Sequence, residues 1–428
     1  MTARSRVTSR RISGIGSCCA SLQCHGQQVR YAEATPVQRW DVVVVGVGAV
    51  GSAALRAASE AGARTLGLEL HSPAHAGGST HGRSRIFRHA YFEHPDYVPL
   101  LRHSTARFQA LERESGDSLL HRCGMLAMGD PGSSVVHGTL ESARRWELQA
   151  EALDAAAMRR RFPWFELPTD AIGAFEADAG VVRPEAAVRA SVRAAERRGA
   201  ELRTSVRVHG IVEDGSGVAL RTSGGDVRAG AVVVAAGAWA AKLLPELAPW
   251  LRVTRQVQAW IAPRPATDLA GFPCWLLDRG PHERPLYGLA PHPDASADDE
   301  PGDGRHPKVG IHGSDLVVDP DVGAQPVDDD DVKRILSACR RLAPTLADRC
   351  VAAATCLYTM SPDSQFLVGT REGSRRVHFA AGLSGHGFKL SPALGDALVD
   401  LALEGRTGLP IGFLAPNRLK IGPSPQPR

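Results

Sequence analysis

The first clear pattern along the chain lies between residues 41 and 69, where the spacing of apolar positions changes twice. Four successive valines, Val42–Val45, are typical of a strand that is buried on both faces. A Gly-rich turn follows, and an Ala-rich segment with helical spacing then leads to a second apolar run, Thr65–Leu68, which ends at Glu69. The pattern predicts a strand, a helix and a second strand, the first part of a parallel α/β sheet.

The glycines of this turn have the spacing of a dinucleotide-binding fingerprint, and they are Gly46, Gly48 and Gly51. Such glycines allow a tight turn and let the backbone approach a pyrophosphate, which the helix N-terminus attracts through its unpaired N–H groups. Glu69 lies about 20 residues beyond them, where a carboxylate accepts hydrogen bonds from ribose hydroxyls and repels a 2′-phosphate. These residues predict dinucleotide binding but leave FAD and NAD open.

Further elements are predicted downstream. Helical spacing runs over residues 98–115, and a second helix is expected from about Pro184 to Arg198. Strand-like runs cover residues 201–208 and 218–222. The apolar run 231–236 resembles the first strand and indicates a return to the nucleotide-binding sheet.

The C-terminal half has a different pattern. Residues 251–360 are predicted to form alternating strands, interrupted by an acidic, Pro-rich loop at about 291–306. A strand over residues 377–381 and a closing helix over about 392–403 end the pattern. Together the elements predict an α/β protein with a Rossmann-like domain and a second, substrate-binding domain built on a mixed or antiparallel sheet.

The expected domain boundaries follow these changes of pattern. They are 1–39 for a disordered tail or targeting segment, 40–115, 178–250 and 362–418 for a discontinuous nucleotide-binding domain, and 116–177 and 251–361 for the substrate domain.

Charge is unevenly distributed along the 428 residues, whose formal net charge is +4. Residues 1–39 contain six arginines and one acid. Removing them from the totals of 50 basic and 46 acidic residues leaves 44 and 45, a net charge of −1. Binding to nucleic acid or to an anionic membrane is therefore not expected. We expect a cytoplasmic location, or a mitochondrial one if the Arg- and Ser-rich tail is a presequence.

Familiar catalytic and metal-binding spacings are missing from the sequence. The cysteines beyond the tail form no CxxC pair and no metal-finger spacing, so no metal site is expected. A P-loop, an HExxH motif and a Ser–His–Asp order are also missing.

Four motifs carry a more specific signal, and in chain order they are GSTHGRSRIFRHAY (Gly78–Tyr91), KVGIH (Lys308–His312), ATCLYTMSPD (Ala354–Asp363) and GLSGHGFK (Gly382–Lys389). In sequence and order they resemble the monomeric sarcosine oxidase family, which includes N-methyltryptophan oxidase, and the resemblance covers roughly residues 40–415. It implies that the dinucleotide is FAD and that the Rossmann-like domain binds it. It further implies oxidation of the C–N bond of a secondary amino acid, with oxygen as the electron acceptor.

Cys356 matches the cysteine through which this family binds FAD covalently. The bond requires a thiolate that attacks the 8α carbon of the isoalloxazine ring. Without the flanking motif, a cysteine in an apolar run is more often a buried and inert side chain.

The resemblance also implies how the substrate carboxylate is bound. Arg85 and Arg88 match arginines near the flavin, and Arg88 matches the residue that binds the carboxylate, for which a planar guanidinium is suited. Lys389 matches the second carboxylate ligand.

Lysine usage adds an independent argument, because only five of the 50 basic residues are lysines and two of them, Lys308 and Lys389, fall inside the motifs. A compact ammonium fits against a flavin ring where a guanidinium would clash. By resemblance Lys308 activates oxygen, since a fixed cation stabilises the superoxide that the first electron produces.

His312 and His386 match active-site histidines of the family, and Tyr287 matches a pocket tyrosine. His386 lies between Gly385 and Gly387, which allow the backbone to approach the cofactor closely. A structural histidine at position 312 and a core aromatic at position 287 remain alternatives.

The sequence departs from the family pattern at Leu289 and Ala290, which would enlarge the pocket, so a strict preference for sarcosine is not expected. Ser84 replaces a threonine that is common in the family and keeps its hydroxyl. We also assign Ser79, Val208 and Gly237 to the cofactor.

The function expected from the resemblance is an FAD-dependent oxidase of N-methyl amino acids such as sarcosine, which acts as a monomer and produces H2O2. One alternative is an oxidase of a cyclic imino acid, such as pipecolate or a proline-like acid, in a biosynthetic pathway. Another is a flavoprotein that passes electrons to an acceptor other than oxygen.

Overall fold

A computed structural model describes residues 39–293 and 305–420. The tail expected over residues 1–39 lies outside this part of the chain except for its last residue, and so does most of the acidic loop expected at 291–306. None of the helices in the described ranges is long and apolar enough to cross a bilayer.

The helices are α1 (Ala49–Glu60), α2 (Val98–Ser115), α3 (Ser134–Trp146), α4 (Ala155–Arg161), α5 (Pro184–Arg197), α6 (Ala240–Leu243), α7 (Asp329–Leu342) and α8 (Ser391–Glu404). Short 3-10 helices lie at Pro95–Tyr97, Gly237–Trp239, Pro245–Trp250, Phe388–Leu390, Gly412–Leu414 and Pro416–Lys420.

The strands of the first half are β1 (Arg39–Val45), β2 (Thr65–Leu68), β3 (Arg85–Phe87), β4 (Leu120–His121), β5 (Met125–Gly129), β6 (Ala150–Asp154), β7 (Ile172–Glu176), β8 (Gly180–Val182), β9 (Glu201–Arg203) and β10 (Val208–Asp214). The strands of the second half are β11 (Gly217–Thr222), β12 (Val227–Val234), β13 (Arg252–Ala262), β14 (Cys274–Asp278), β15 (Leu286–Leu289), β16 (Lys308–Ile311), β17 (Arg349–Met360), β18 (Leu367–Thr370) and β19 (Val377–Ala381).

The first large sheet has a parallel centre in the order β9, β2, β1, β12 and β19. Antiparallel strands extend it, because β11 pairs with the beginning of β12 and β18 pairs with β19. The valines of β1 are buried on both faces, because Val42 and Val44 belong to a cluster with α1 and α8, whereas Val43 and Val45 belong to a cluster that includes β10 and β11. Helix α8 packs closely on α1, since a Cβ atom at Gly395 would lie 2.7 Å from the backbone nitrogen of Ala54. The predicted α/β class is confirmed.

The second large sheet has the order β17, β13, β16, β15, β14, β5, β7 and β6. All its pairs are antiparallel except β14 with β5, so the predicted mixed sheet is present. Helices α3 and α7 contribute to its core through side chains such as Val136 and Ile335. The strands of this sheet lie within 116–177 and 251–361, and those of the first sheet lie outside these ranges. The domain boundaries themselves remain a prediction.

Two expectations about local structure were wrong. The strand expected over residues 201–208 is divided, because β9 ends at Arg203 and β10 begins at Val208 in a different position of the sheet. The alternating strands expected over residues 251–360 are interrupted by helix α7. Asp328 caps this helix by accepting a hydrogen bond from the N–H of Asp331, and Asp331 in turn accepts from the N–H of Asp328.

Candidate functional site

A cavity of about 490 Å³ opens where the carboxyl ends of β1, β2, β12 and β19 face the second large sheet. Ligands bind at this edge of open α/β sheets. Nearly all the predicted site residues line it, and they are Gly46, Gly48, Glu69, Ser79, Arg85, Arg88, Val208, Gly237, Tyr287, Lys308, His312, Cys356, Gly385, His386, Gly387 and Lys389. The exception is Gly51, which packs behind the turn.

The three glycines of the turn have three different environments. Gly46 has a φ of +82°, and a Cβ atom there would lie 2.7 Å from the carbonyl oxygen of Ala235. A Cβ atom at Gly51 would lie 1.8 Å from the carbonyl oxygen of Gly46. At Gly48 the nearest atom to such a Cβ is the Thr80 hydroxyl oxygen at 3.5 Å, an ordinary van der Waals contact. Only Gly48 therefore leaves room for a ligand beside the backbone.

The N-terminus of α1 and the side chain of Glu69 meet at this turn. Helix α1 begins after Gly48, with no acidic residue in its first turn and no capping side chain among the described residues. The buried Glu69 carboxylate accepts hydrogen bonds from the N–H of Val47 at 2.7 Å and of His71 at 3.0 Å. Each oxygen retains further lone pairs, so the carboxylate can also accept from ribose hydroxyls. The pattern fits a dinucleotide that has its pyrophosphate at the helix N-terminus.

Two buried polar groups on the cavity wall were not foreseen from the sequence. The Nε2 atom of Gln258 and the hydroxyl of Thr359 have no hydrogen-bond partner within the described part of the chain. Buried polar atoms without hydrogen-bond partners are uncommon, so these two groups indicate a ligand whose edges can form hydrogen bonds with them. An isoalloxazine ring has such edges, so the residues present fit FAD.

Cys356 lies on β17 and is buried, with its sulfur 4.0 Å from Nη2 of Arg85. Burial raises the pKa of the Cys356 thiol, while the positive charges of Arg85 and Lys308 lower it in part. Thiolate formation at this position therefore depends on the two neighbouring cations.

Arg85 is hydrogen-bonded to the backbone of the loop that precedes it. Its guanidinium donates hydrogen bonds to the carbonyl oxygens of Ser79 at 2.8 Å, His81 at 2.6 Å and Ser84 at 2.8 Å. The Nη2 atom that binds Ser79 and His81 also lies 4.0 Å from the sulfur of Cys356.

Lys308 is 3% exposed and lies at the beginning of β16. Its ammonium donates hydrogen bonds to the carbonyl oxygens of Gly82 at 2.8 Å and Ser84 at 2.5 Å. Burial lowers the pKa of Lys308 well below its ordinary value, and the charge of Arg85 lowers it further. The amine is thus fixed in position beside the cavity.

Arg88 has a partner that the sequence did not indicate. Its Nη2 atom lies 2.6 Å from each carboxylate oxygen of Glu93, and its Nη1 atom donates to the carbonyl oxygen of Ala90 at 2.8 Å. The rings of Tyr91 and Phe92 flank the guanidinium, with centroids at 4.2 and 4.5 Å. Burial would raise the pKa of Glu93, but the charges around it, chiefly that of Arg88, hold it below its ordinary value.

Lys389 lies close to the same group. Its ammonium donates a hydrogen bond to the carbonyl oxygen of His386 at 2.7 Å. Burial lowers the pKa of Lys389 to about 7, with a further contribution from the charge of Arg88. Burial also lowers the pKa of His386 to about 4, so this imidazole is neutral at neutral pH.

Tyr287, in β15, and His312, directly after β16, reach the cavity from the second large sheet. Burial lowers the pKa of His312 and raises that of Tyr287, which is hydrogen-bonded to Tyr358. Leu289 lines the cavity, but Ala290 lines a separate and much smaller one. The expected enlargement of the substrate pocket therefore concerns position 289 alone.

Comparison with known proteins agrees with this geometry. Residues 41–401 match the model of the DAO family, described as FAD dependent oxidoreductase. The chain is 37% identical over 392 residues to monomeric sarcosine oxidase of Streptomyces avermitilis, which covers 90% of this chain and 99% of that protein. It is 33% identical over 370 residues to N-methyl-L-tryptophan oxidase of Citrobacter koseri, covering 85% and 95% of the two chains.

A solved structure of similar fold is that of NikD, an unusual amino acid oxidase essential for nikkomycin biosynthesis, in an open form. The TM-score is 0.76 at 29% sequence identity, and the alignment covers 89% of this chain and 98% of NikD.

Proposed function

The chain belongs to the family of FAD dependent oxidoreductases, within the group of monomeric sarcosine oxidase and N-methyl-L-tryptophan oxidase, and we propose that it oxidises secondary, N-methylated amino acids such as sarcosine. The enzyme acts on the CH–NH group of its substrate, converts the C–N bond to an imine and reduces O2 to H2O2.

One observation carries this proposal. A single cavity runs from a dinucleotide-binding turn at Gly48 to a buried cluster of cations at Arg88 and Lys389. FAD, when bound, supplies the acceptor for the hydride equivalent and returns the electrons to oxygen. The cations at the far end of the cavity provide a site for a small carboxylate beside it.

In our proposal Arg88 and Lys389 bind and orient the substrate carboxylate. Arg88 offers a planar donor group, but it already binds Glu93, so a substrate carboxylate must displace or share that contact. Lys389 adds a second positive charge next to the proposed carboxylate site at Arg88. Because the pKa of Lys389 is lowered, this charge depends on pH near neutrality.

Lys308 is proposed to stabilise the negative charge that develops on oxygen. Its amine is held by two backbone carbonyls and, within the described ranges, is hydrogen-bonded to no carboxylate, so when protonated it presents its charge to the cavity. A preorganised charge of this kind stabilises a developing anion without reorganisation at the moment of reaction.

We propose that FAD is attached covalently through Cys356, which lies on the cavity wall beside Arg85. The holoenzyme would be denatured in acid and the pellet inspected for yellow colour, with Cys339→Ala as the matched cysteine variant. A yellow pellet for the wild type and for Cys339→Ala, with a colourless pellet for Cys356→Ala, is expected. Flavin found only in the wild-type supernatant would refute the attachment.

The function is tested by measuring peroxide release with sarcosine, N-methyltryptophan, pipecolate and proline. Faster turnover of the N-methyl amino acids supports the proposal, and preference for the cyclic acids supports the alternative of an imino acid oxidase. Flavin that is reduced by substrate but stays reduced in air would favour an acceptor other than oxygen. We further propose a monomer in the cytoplasm, and light scattering tests the oligomeric state.

A further inference from the structure

Tyr91 lies outside the set of predicted site residues, yet its hydroxyl joins two of them. The side chain is fully buried. Its oxygen lies 2.6 Å from Nδ1 of His386 and 3.3 Å from Nζ of Lys389. The carbonyl oxygen of His386 lies 3.2 Å from the same hydroxyl, farther than Nδ1 of that residue.

The chemistry of the partners fixes the direction of these hydrogen bonds. The Nε2 atom of His386 lies 2.9 Å from the carbonyl oxygen of Ser364, which can only accept, so Nε2 carries a hydrogen. Because this imidazole is neutral, Nδ1 has a lone pair and accepts the Tyr91 hydrogen. The Tyr91 oxygen is then free to accept a hydrogen from the ammonium of Lys389.

We propose that Tyr91 is a positioning residue that donates to Nδ1 of His386, which keeps this imidazole neutral, and that it holds the ammonium of Lys389 in place beside the substrate carboxylate. The phenol suits this role because it donates one hydrogen and accepts another at the same oxygen. The assignment of a substrate carboxylate to Lys389 rests on the proposed function, whereas the order of the hydrogen bonds does not depend on turnover.

Removal of the hydroxyl has opposite consequences for its two partners. Lys389 loses an acceptor that favours its charged form, so its protonation becomes weaker. His386 loses a donor that favours its neutral form, so its protonation becomes stronger. Other charged or titratable groups that face this pair are Arg85, Arg88, Glu93 and His312, and Tyr91→Phe leaves all of them in place.

Tyr97 provides a matched control. It is a second fully buried tyrosine, and its ring centroid lies 5.0 Å from that of Tyr91. Its hydroxyl accepts a hydrogen bond from the backbone N–H of Phe366 at 3.3 Å. Tyr97→Phe therefore removes a hydroxyl from the same aromatic cluster without removing a contact to Lys389 or to the imidazole of His386.

The first test is the tautomer of His386 in the FAD-loaded protein. Two-bond 1H–15N correlation spectra distinguish the two neutral tautomers, and the spectrum of His386→Asn identifies the resonances. All three proteins should show the Nε2–H form at neutral pH, because the carbonyl of Ser364 accepts from Nε2 in each, and His386 of Tyr91→Phe should protonate at a pH about one unit higher than in the wild type and in Tyr97→Phe. An Nδ1–H form in the wild type, or a titration of His386 that is unchanged in Tyr91→Phe, would overturn the proposal.

The second test uses acetate, which has a carboxylate but no amine, as a probe titrated against the flavin absorbance. Loss of acetate binding at high pH reports deprotonation of Lys389. In Tyr91→Phe this loss should move to lower pH by about one unit, the scale of one hydrogen bond to a charged group. An unmoved profile in Tyr91→Phe, or an equal shift in Tyr97→Phe, counts against the role of Tyr91. Both tests remain informative if no amino acid is oxidised, so failure of the function and failure of this inference are distinguishable.

Discussion

Replacement of Glu93 by glutamine tests how the cavity receives a carboxylate. In the structure Glu93 forms an ion pair with the guanidinium of Arg88. Both carboxylate oxygens lie 2.6 Å from Nη2, and both side chains are largely buried. A charge-assisted hydrogen bond contributes about 1.5–3 kcal/mol and a neutral one about 0.5–1.5 kcal/mol. Loss of the charge of Glu93 therefore weakens the internal competitor by roughly 1–1.5 kcal/mol, which corresponds to about a tenfold gain in affinity for an incoming carboxylate.

The assay for Glu93→Gln is acetate titration followed by flavin absorbance, together with KM for the best amino acid. The Kd of acetate and the KM of the amino acid are both expected to fall about tenfold, while kcat changes less. Asp331→Asn is a matched control, because Asp331 forms a similarly buried ion pair with Arg255 outside the cavity. The control should lower Tm and leave acetate affinity unchanged. Unchanged or weaker acetate binding in Glu93→Gln would show that the ligand does not compete for Arg88.

Three further predictions follow from the same geometry. Lys308→Met should slow reoxidation of the flavin by oxygen far more than its reduction by substrate, and stopped-flow traces showing equal effects would contradict this role. Gly51→Ala should reduce the free energy of unfolding by about 1–3 kcal/mol or more through overpacking, and should therefore lower Tm with or without FAD. Gly48→Ala should keep the fold and weaken FAD binding. Acetate affinity should fall as pH rises through about 7, because Lys389 is charged below its lowered pKa and neutral above it, and an affinity independent of pH from 6 to 8 would refute the assignment.

The first unit of the sheet could be predicted because its signals are local. Valines in succession, glycines at fixed spacing and an acid at the end of a strand each report on neighbouring residues. Helix α7 was missed although its capping residues and its apolar positions at Ile335, Cys339 and Leu342 have helical spacing. That signal is weak, because the helix carries only a narrow apolar stripe and lies between long strands.

The contacts that give the site its chemistry could not be predicted in the same way. Glu93 follows Arg88 by five residues, but only the path of the loop brings the carboxylate onto the guanidinium. Tyr91 lies inside a motif that marks the site, whereas its hydrogen-bond partner His386 is 295 residues away. Gln258 and Thr359 carry no motif at all, and only their burial without partners draws attention to them.

Three cations of the cavity, Arg85, Arg88 and Lys308, differ in what binds them. Arg85 and Lys308 are hydrogen-bonded to backbone carbonyls, which are dipoles that cannot be exchanged for a ligand. Arg88 is bound by a carboxylate, which a substrate carboxylate of the same chemistry can replace. A charge held by carbonyls keeps its field during the reaction, as stabilisation of a developing anion requires. A charge held by a carboxylate is neutralised at rest, so the substrate is bound by exchange of one anion for another and must compete with Glu93 for Arg88.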